Sequence, residues 1–114
     1  TWSEINLVDK MDYDREQLKG IDGYLIQVAA VSTLPVLERT FKVLPLDESS
    51  VYIYHGIRRD MPTYVILQGH YPTIEQARAA LTKLPEGIKK QHPWVRTASS
   101  VRQDIRRFQM VLSG

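Results

Sequence analysis

A four-stranded α+β sandwich with element order βαββαβ is the fold class this sequence predicts, and three observations predict it. Three short runs rich in β-branched and aromatic residues, YLIQVAAVS, VYIYHGI and TYVILQG, are bounded by turn residues as strands are. Two segments between and after them, around 34–44 and 74–84, repeat apolar residues at helical spacing. Their alternation is that of a split βαβ unit, a ferredoxin-like or RNP-like antiparallel sheet. Its two helices cover one face, with terminal helical extensions beyond.

The first twenty-two residues carry only a weak helical pattern, Ile5, Leu7, Val8 and Met11, before a polar DYDREQLKGIDG. They are expected to be an acidic linker or tether end with at most one docking turn, closed by Gly20 and Gly23. The first strand then places Tyr24, Ile26 and Val28 on one face and Leu25, Gln27 and Ala29 on the other. A strand apolar on both faces is covered twice, or else binds something on one side. Ser32 or Thr33 caps the first helix, Pro35 fits its first turn, and Leu34, Leu37, Phe41 and Leu44 form its stripe before Pro45 ends it.

In the second strand Val51 and Ile53 share one face and Tyr52 and Tyr54 the other. RRDMP is the expected turn, and Tyr64–Gln68 the third strand, so strands two and three make a hairpin. Thr73 caps the second helix with Gln76 completing a capping box. Ile74, Ala77, Ala80, Leu81 and Leu84 supply the stripe, and Pro85 stops it. EGIKKQHP is the next loop and WVRTAS a short fourth strand. Val101, Ile105, Phe108 and Leu112, with Arg102, Arg106 and Arg107 opposite, form a last amphipathic helix. The expected organisation is a tether end at 1–22, one domain at 23–104 and a helical extension at 105–114.

A chain of 114 residues with 43% hydrophobic and 25% charged residues suits one domain with a modest core. It begins at Thr1 with no signal peptide and no apolar run able to cross a bilayer. The expectation is therefore a fragment or processed form, with any membrane anchor lying in a segment outside it. Cysteine is absent, which excludes disulfides, thiolate metal sites and cysteine nucleophiles. The net charge of +2 divides unevenly, the first twenty-two residues being acidic and the remainder basic. Scattered Lys and Arg of this kind usually keep a surface wet, so charge alone is weak support for a nucleic-acid partner.

No constellation for catalysis stands out. His55, His70 and His92 are dispersed, with no metal-ligand spacing, and are expected at the surface. Glu38, Asp47, Glu48, Asp60, Glu75, Glu86 and Asp104 are expected on helix faces and in loops, none projecting from the open sheet face where a carboxylate pair would work. Ser49, Ser50, Ser99 and Ser100 lack a nucleophile context. The expectation is a non-enzyme with no cofactor and no metal. RNA-recognition domains share this strand order but stack bases on third-strand aromatics, where this chain has Val65 and Leu67. No nucleic-acid partner is expected.

What remains is the sheet face away from the two helices. Thr63, Val65 and Leu67 point to it beside Leu25, Gln27 and Ala29, with Tyr52, Tyr54, Trp94 and Arg96 flanking. An apolar patch with one amide, rings and a guanidinium suits a sugar. Equally, terminal helices covering this face would make Trp94 a core residue.

These residues also carry a resemblance. YLIQVAAVS, then YVILQGHYPTIEQARAALTKLP and HPWV, resemble the SPOR domain over residues 23–104, most like the form at the C-terminus of an enterobacterial cell-division protein. The resemblance implies a peptidoglycan-binding module for septal glycan strands stripped of stem peptides. It also implies residence on the periplasmic face of the bacterial inner membrane, at the division septum. Gln27 and Trp94 match residues of the family's sheet face. Ala30 stands where such members have a small polar group, and Thr63 where they have an aromatic; Tyr52 or Tyr54 would supply the missing ring. The expected glycan-binding set is Gln27, Ala29, Ala30, Tyr52, Tyr54, Thr63, Val65, Leu67, Trp94 and Arg96. A protein–protein module of the division machinery, using the same face or the C-terminal helix, is the alternative.

Overall fold

The computed structural model describes residues 6–114; Ile5 of the N-terminal pattern lies outside the described residues. Strands β1 (Tyr24–Val31), β2 (Val51–Arg58), β3 (Met61–Tyr71) and β4 (Trp94–Thr97) form one antiparallel sheet in the order β2-β3-β1-β4. Helices α2 (Leu34–Val43) and α3 (Ile74–Thr82) cover one face, as the split βαβ pattern requires. Thr33 and Thr73 cap them through bonds from the amides of Val36 and Gln76. A short helix α4 (Glu86–Lys89) occupies the expected loop, because Ile88 is drawn fully into the core. That core holds Ile26, Val28, Leu37, Phe41, Ile53, Ile66 and Ile88.

Residues 7–19 are not a linker. They form helix α1 (Leu7–Lys19), capped by the Asn6 side chain. Its buried stripe is Leu7, Met11, Asp14 and Leu18, and the aspartate in the middle hid the helical period. Asp14 is buried because it accepts the Ile53 amide at 2.8 Å, on the side of β2 that pairs with no strand. Lys10 pairs with Asp14 at 3.0 Å and donates to the Val51 carbonyl. Thus α1 closes the edge of the sheet with polar side chains, which blocks strand addition there.

Helix α5 (Ala98–Ser113) begins directly after β4, with Thr97 as its cap. Its Ala98, Val101 and Ile105 pack with Leu18 of α1 over Leu25, Tyr54, Val65 and Leu67. The second face of the sheet is therefore partly covered. Gly56 leaves room for the Tyr54 ring, which a Cβ there would meet at 2.8 Å, while Asp104 of α5 packs over the same glycine.

Two irregularities reset the strand faces. Between Gln27 and Ala29, β1 spends two residues against one on β3, a bulge that turns Ala29 with Val28 toward the α2–α3 core and brings Ala30 to the face of Gln27. Near the other end β3 holds the extra residue, around Gly69, whose φ of 77° suits glycine. The hairpin turn is shorter than RRDMP. Pairing continues to Arg58 opposite Met61, and only Arg59 and Asp60, both at positive φ, make the turn. Pro62 is tolerated because it faces Ile57, at the end of β3 that β1 does not reach.

Candidate functional site

Where α5 leaves the second face uncovered, a groove of about 290 Å³ opens over β1, β3 and β4. Its floor is Gln27, Ala30, Thr63 and Val65, and Trp94 and Arg96 form one wall. The sheet register explains the meeting: Gln27 lies opposite Trp94 across the β1–β4 ladder, and Leu25 opposite Arg96. The wall from α5 and the hairpin, Asp104, Arg107, Ile57, Arg58 and Arg59, had no signal on the sheet strands themselves.

Arg96 organises the floor. It is 7% exposed and donates to the Gln27 Oε1 at 3.1 Å, to the Tyr54 hydroxyl, and through Nε to the Ser100 hydroxyl at 3.3 Å. It also pairs with Asp104 at 3.2 Å. Tyr54 donates in turn to Asp104 at 2.9 Å. Burial pushes the Tyr54 phenol well above its ordinary value, with Asp104 adding and Arg96 opposing, so it remains a donor. With its carbonyl held by a guanidinium, Gln27, which lines the groove at 6% exposure, keeps its amide nitrogen as the group with donors to offer a ligand. Trp94 is 50% exposed and has the Arg96 guanidinium 5.4 Å from its ring centroid, leaving an apolar surface open beside that amide.

The expected site set divides. Gln27, Ala30, Thr63, Val65, Trp94 and Arg96 converge on the groove. Four do not line it. Ala29 is turned to the opposite core by the bulge, and Leu67 is fully buried beneath α5. Tyr52 packs half-buried with the second core, away from the groove. Tyr54 is 1% exposed and its hydroxyl is taken by Arg96 and Asp104, so neither tyrosine supplies a rim ring. Arg96, expected at a rim, is a buried hub. Asp104, expected away from this face, reaches the groove on α5, but it is the one carboxylate there and Arg96 neutralises it.

Comparison with known proteins gives this groove a context. The family model of the SPOR domain matches residues 20–97, which runs from the start of β1 to the end of β4. The chain belongs to the SPOR domain family. It is also 29% identical over 85 residues to the cell division protein DamX of Serratia marcescens, across 74% of this chain and 38% of that protein. The chain thus spans well under half the length of this relative.

The SPOR match contains the groove floor and Trp94 but not α1 or α5, which supply part of the wall and the cover. A larger cavity of about 430 Å³ lies elsewhere, between α1 and α5 at the β2 edge. Its base is His55, stacked on Tyr64 at 4.1 Å and in tilted contact with the Phe108 ring at 4.0 Å. His55 is therefore not a surface histidine: its Nε2 is buried with no hydrogen-bond partner among the described residues, and burial holds its pKa below the usual value. His70 and His92 are exposed.

Proposed function

We propose that this SPOR domain is a non-catalytic module that binds peptidoglycan, with preference for septal glycan strands stripped of their stem peptides. The observation that carries the reading is the Gln27–Trp94 pair: an amide fixed by Arg96 beside a half-exposed indole, at the groove that α5 does not fill. An N-acetylated sugar offers the complement, with a C–H face to pack on the ring and an acetamide carbonyl to accept from the amide. Ala30 and Thr63 leave the floor smooth and small, which gives a sugar ring room.

The DamX relative is named a cell division protein, and a role at the division septum follows for this chain on the same proposal. Among the described residues no helix is long and apolar enough to cross a membrane, so a periplasmic position at the inner membrane would depend on a segment outside this chain. A shallow site of this kind binds each strand weakly, and tethering with repeated contacts along the glycan raises the effective affinity. The test is cosedimentation with purified sacculi before and after amidase digestion. Pelleting should rise as stem peptides are removed; no pelleting with either preparation would reject the reading.

A second reading, a protein–protein module of the division machinery, draws on the α1–α5 cavity and on exposed Met110, Val111 and Leu112 at the end of α5. Substituting these three by polar residues should leave sacculus binding unchanged if the glycan reading holds.

A further inference from the structure

The groove carries positive charge that a neutral sugar does not use. Arg58 and Arg59 at the hairpin and Arg107 on α5 line it and are exposed. None of the three pairs with a carboxylate among the described residues, whereas Asp104 is already taken by Arg96. The groove is thus lined by four arginines against one carboxylate, Asp104, which Arg96 already pairs, and this excess of positive charge attracts an anion.

Their placement is built rather than incidental. Arg58 is held in the ladder opposite Met61, on the face shared by Tyr54 and Gly56, so its base is rigid. Arg59 stands at φ 52° in a two-residue turn followed by Asp60 at φ 64°. Asn-Gly would occupy such a turn without strain, so the two-residue turn holds Arg59 in a conformation its own backbone preference does not supply.

We propose that Arg58, Arg59 and Arg107 form an anionic subsite that takes the lactyl carboxylate of muramic acid. The proposal rests on the glycan reading above and gives it a chemical basis. In a strand that keeps its stem peptides, that carboxyl group is an amide and carries no charge. Hydrolysis of the amide leaves a carboxylate on every second sugar and removes the peptide's bulk at the same position. Guanidinium groups recognise the planar carboxylate through paired N–H donors, while Gln27 and Trp94 engage the neighbouring sugar.

The experiment is calorimetric titration of the domain with glycan oligosaccharides released from amidase-treated sacculi. It is repeated with the same oligosaccharides after carbodiimide conversion of their carboxylates to methylamides. Exposed charge pairs are each worth a few-fold, so the amidated glycan is expected to bind roughly tenfold more weakly at low salt. The gap should close as ionic strength rises from about 0.01 M to about 1 M. The triple variant Arg58→Gln, Arg59→Gln, Arg107→Gln should bind both forms equally, with an unchanged circular dichroism spectrum. Equal affinity of the unmodified domain for both forms would overturn the subsite and leave the glycan reading standing. Binding of neither form would remove the glycan reading and the subsite with it. Tight, salt-steep binding to polynucleotide that the triple variant loses, with no discrimination between the glycans, would reassign the arginines and overturn the proposal.

Discussion

Arg96 engages four other side chains at once, Gln27, Tyr54, Ser100 and Asp104, and this gives the groove two kinds of residue. Replacing Arg96 by Ala strands the Tyr54–Asp104 pair and frees the Gln27 amide to rotate, at an expected cost of about 3 kcal/mol in urea unfolding, because a buried charged hub is lost with its partners left behind. Gln27→Ala removes only one of the bonds to Arg96, so stability should fall by about 2 kcal/mol, less than for Arg96→Ala, while glycan binding is lost. Equal binding by that variant would show that the amide is not a contact. His55 makes a separate, pH-dependent contribution. The folded protein favours its neutral form, so the associated stability is present above the ordinary histidine pKa of 6.5 and is lost as pH falls through the lower, folded value. Tyr64 and Phe108 pack on the ring, and Asp12 and Arg15 of α1 line the same cavity. His55→Phe should keep the stack and flatten this part of the profile, measured as unfolding midpoints between about pH 8 and about pH 5.

Elements show what the sequence made legible and what it concealed. The strands, the threonine-capped helices and the sheet order follow from patterns that depend on near neighbours: alternation, caps and prolines. The bulge after Gln27 does not, since QVAAV has no glycine to mark it, and it is the packing of both Val28 and Ala29 on the α2–α3 core that turns Ala30 into the groove. Helix α1 was hidden by Asp14, which counts as polar in any periodicity but is buried by an amide more than thirty residues away. Asp14→Ala should leave the Ile53 amide without its partner and cost about 2 kcal/mol in urea unfolding. The turn itself was legible in RRDMP, but not its two-residue form, since an arginine seldom takes positive φ. Asp60→Gly should relieve that conformation and raise stability by about 1 kcal/mol, provided the flanking pairs hold; a loss would mean that Asp60 contributes a bond in solution.

At the scale of the whole molecule, the open question in the sequence was whether a terminal helix covers the second face. It does so over Leu25, Tyr54, Val65 and Leu67 and stops short of Gln27, Ala30 and Thr63. No local pattern encodes that division, because it depends on where α5 crosses the sheet at Gly56. Gln27 and Trp94 could be singled out from the strands, whereas the arginines come from a hairpin tip and a helix that only folding brings beside them. Although the SPOR match ends at residue 97, α5 is integral to the fold here. Ending the chain at residue 97 would expose four buried side chains, each worth about 1.5–3 kcal/mol. That is comparable with the entire stability of a small domain. Such a chain is expected to lose cooperative thermal unfolding.

The measurement that bears most directly on the central claim is an NMR titration of the isotope-labelled domain with stem-free glycan oligosaccharides. The largest shifts are expected at the Gln27 side-chain amide and the Trp94 indole, with the His55–Phe108 cavity unaffected. Shifts confined to α1 and α5, or none at concentrations where sacculi pellet the protein, would contradict it.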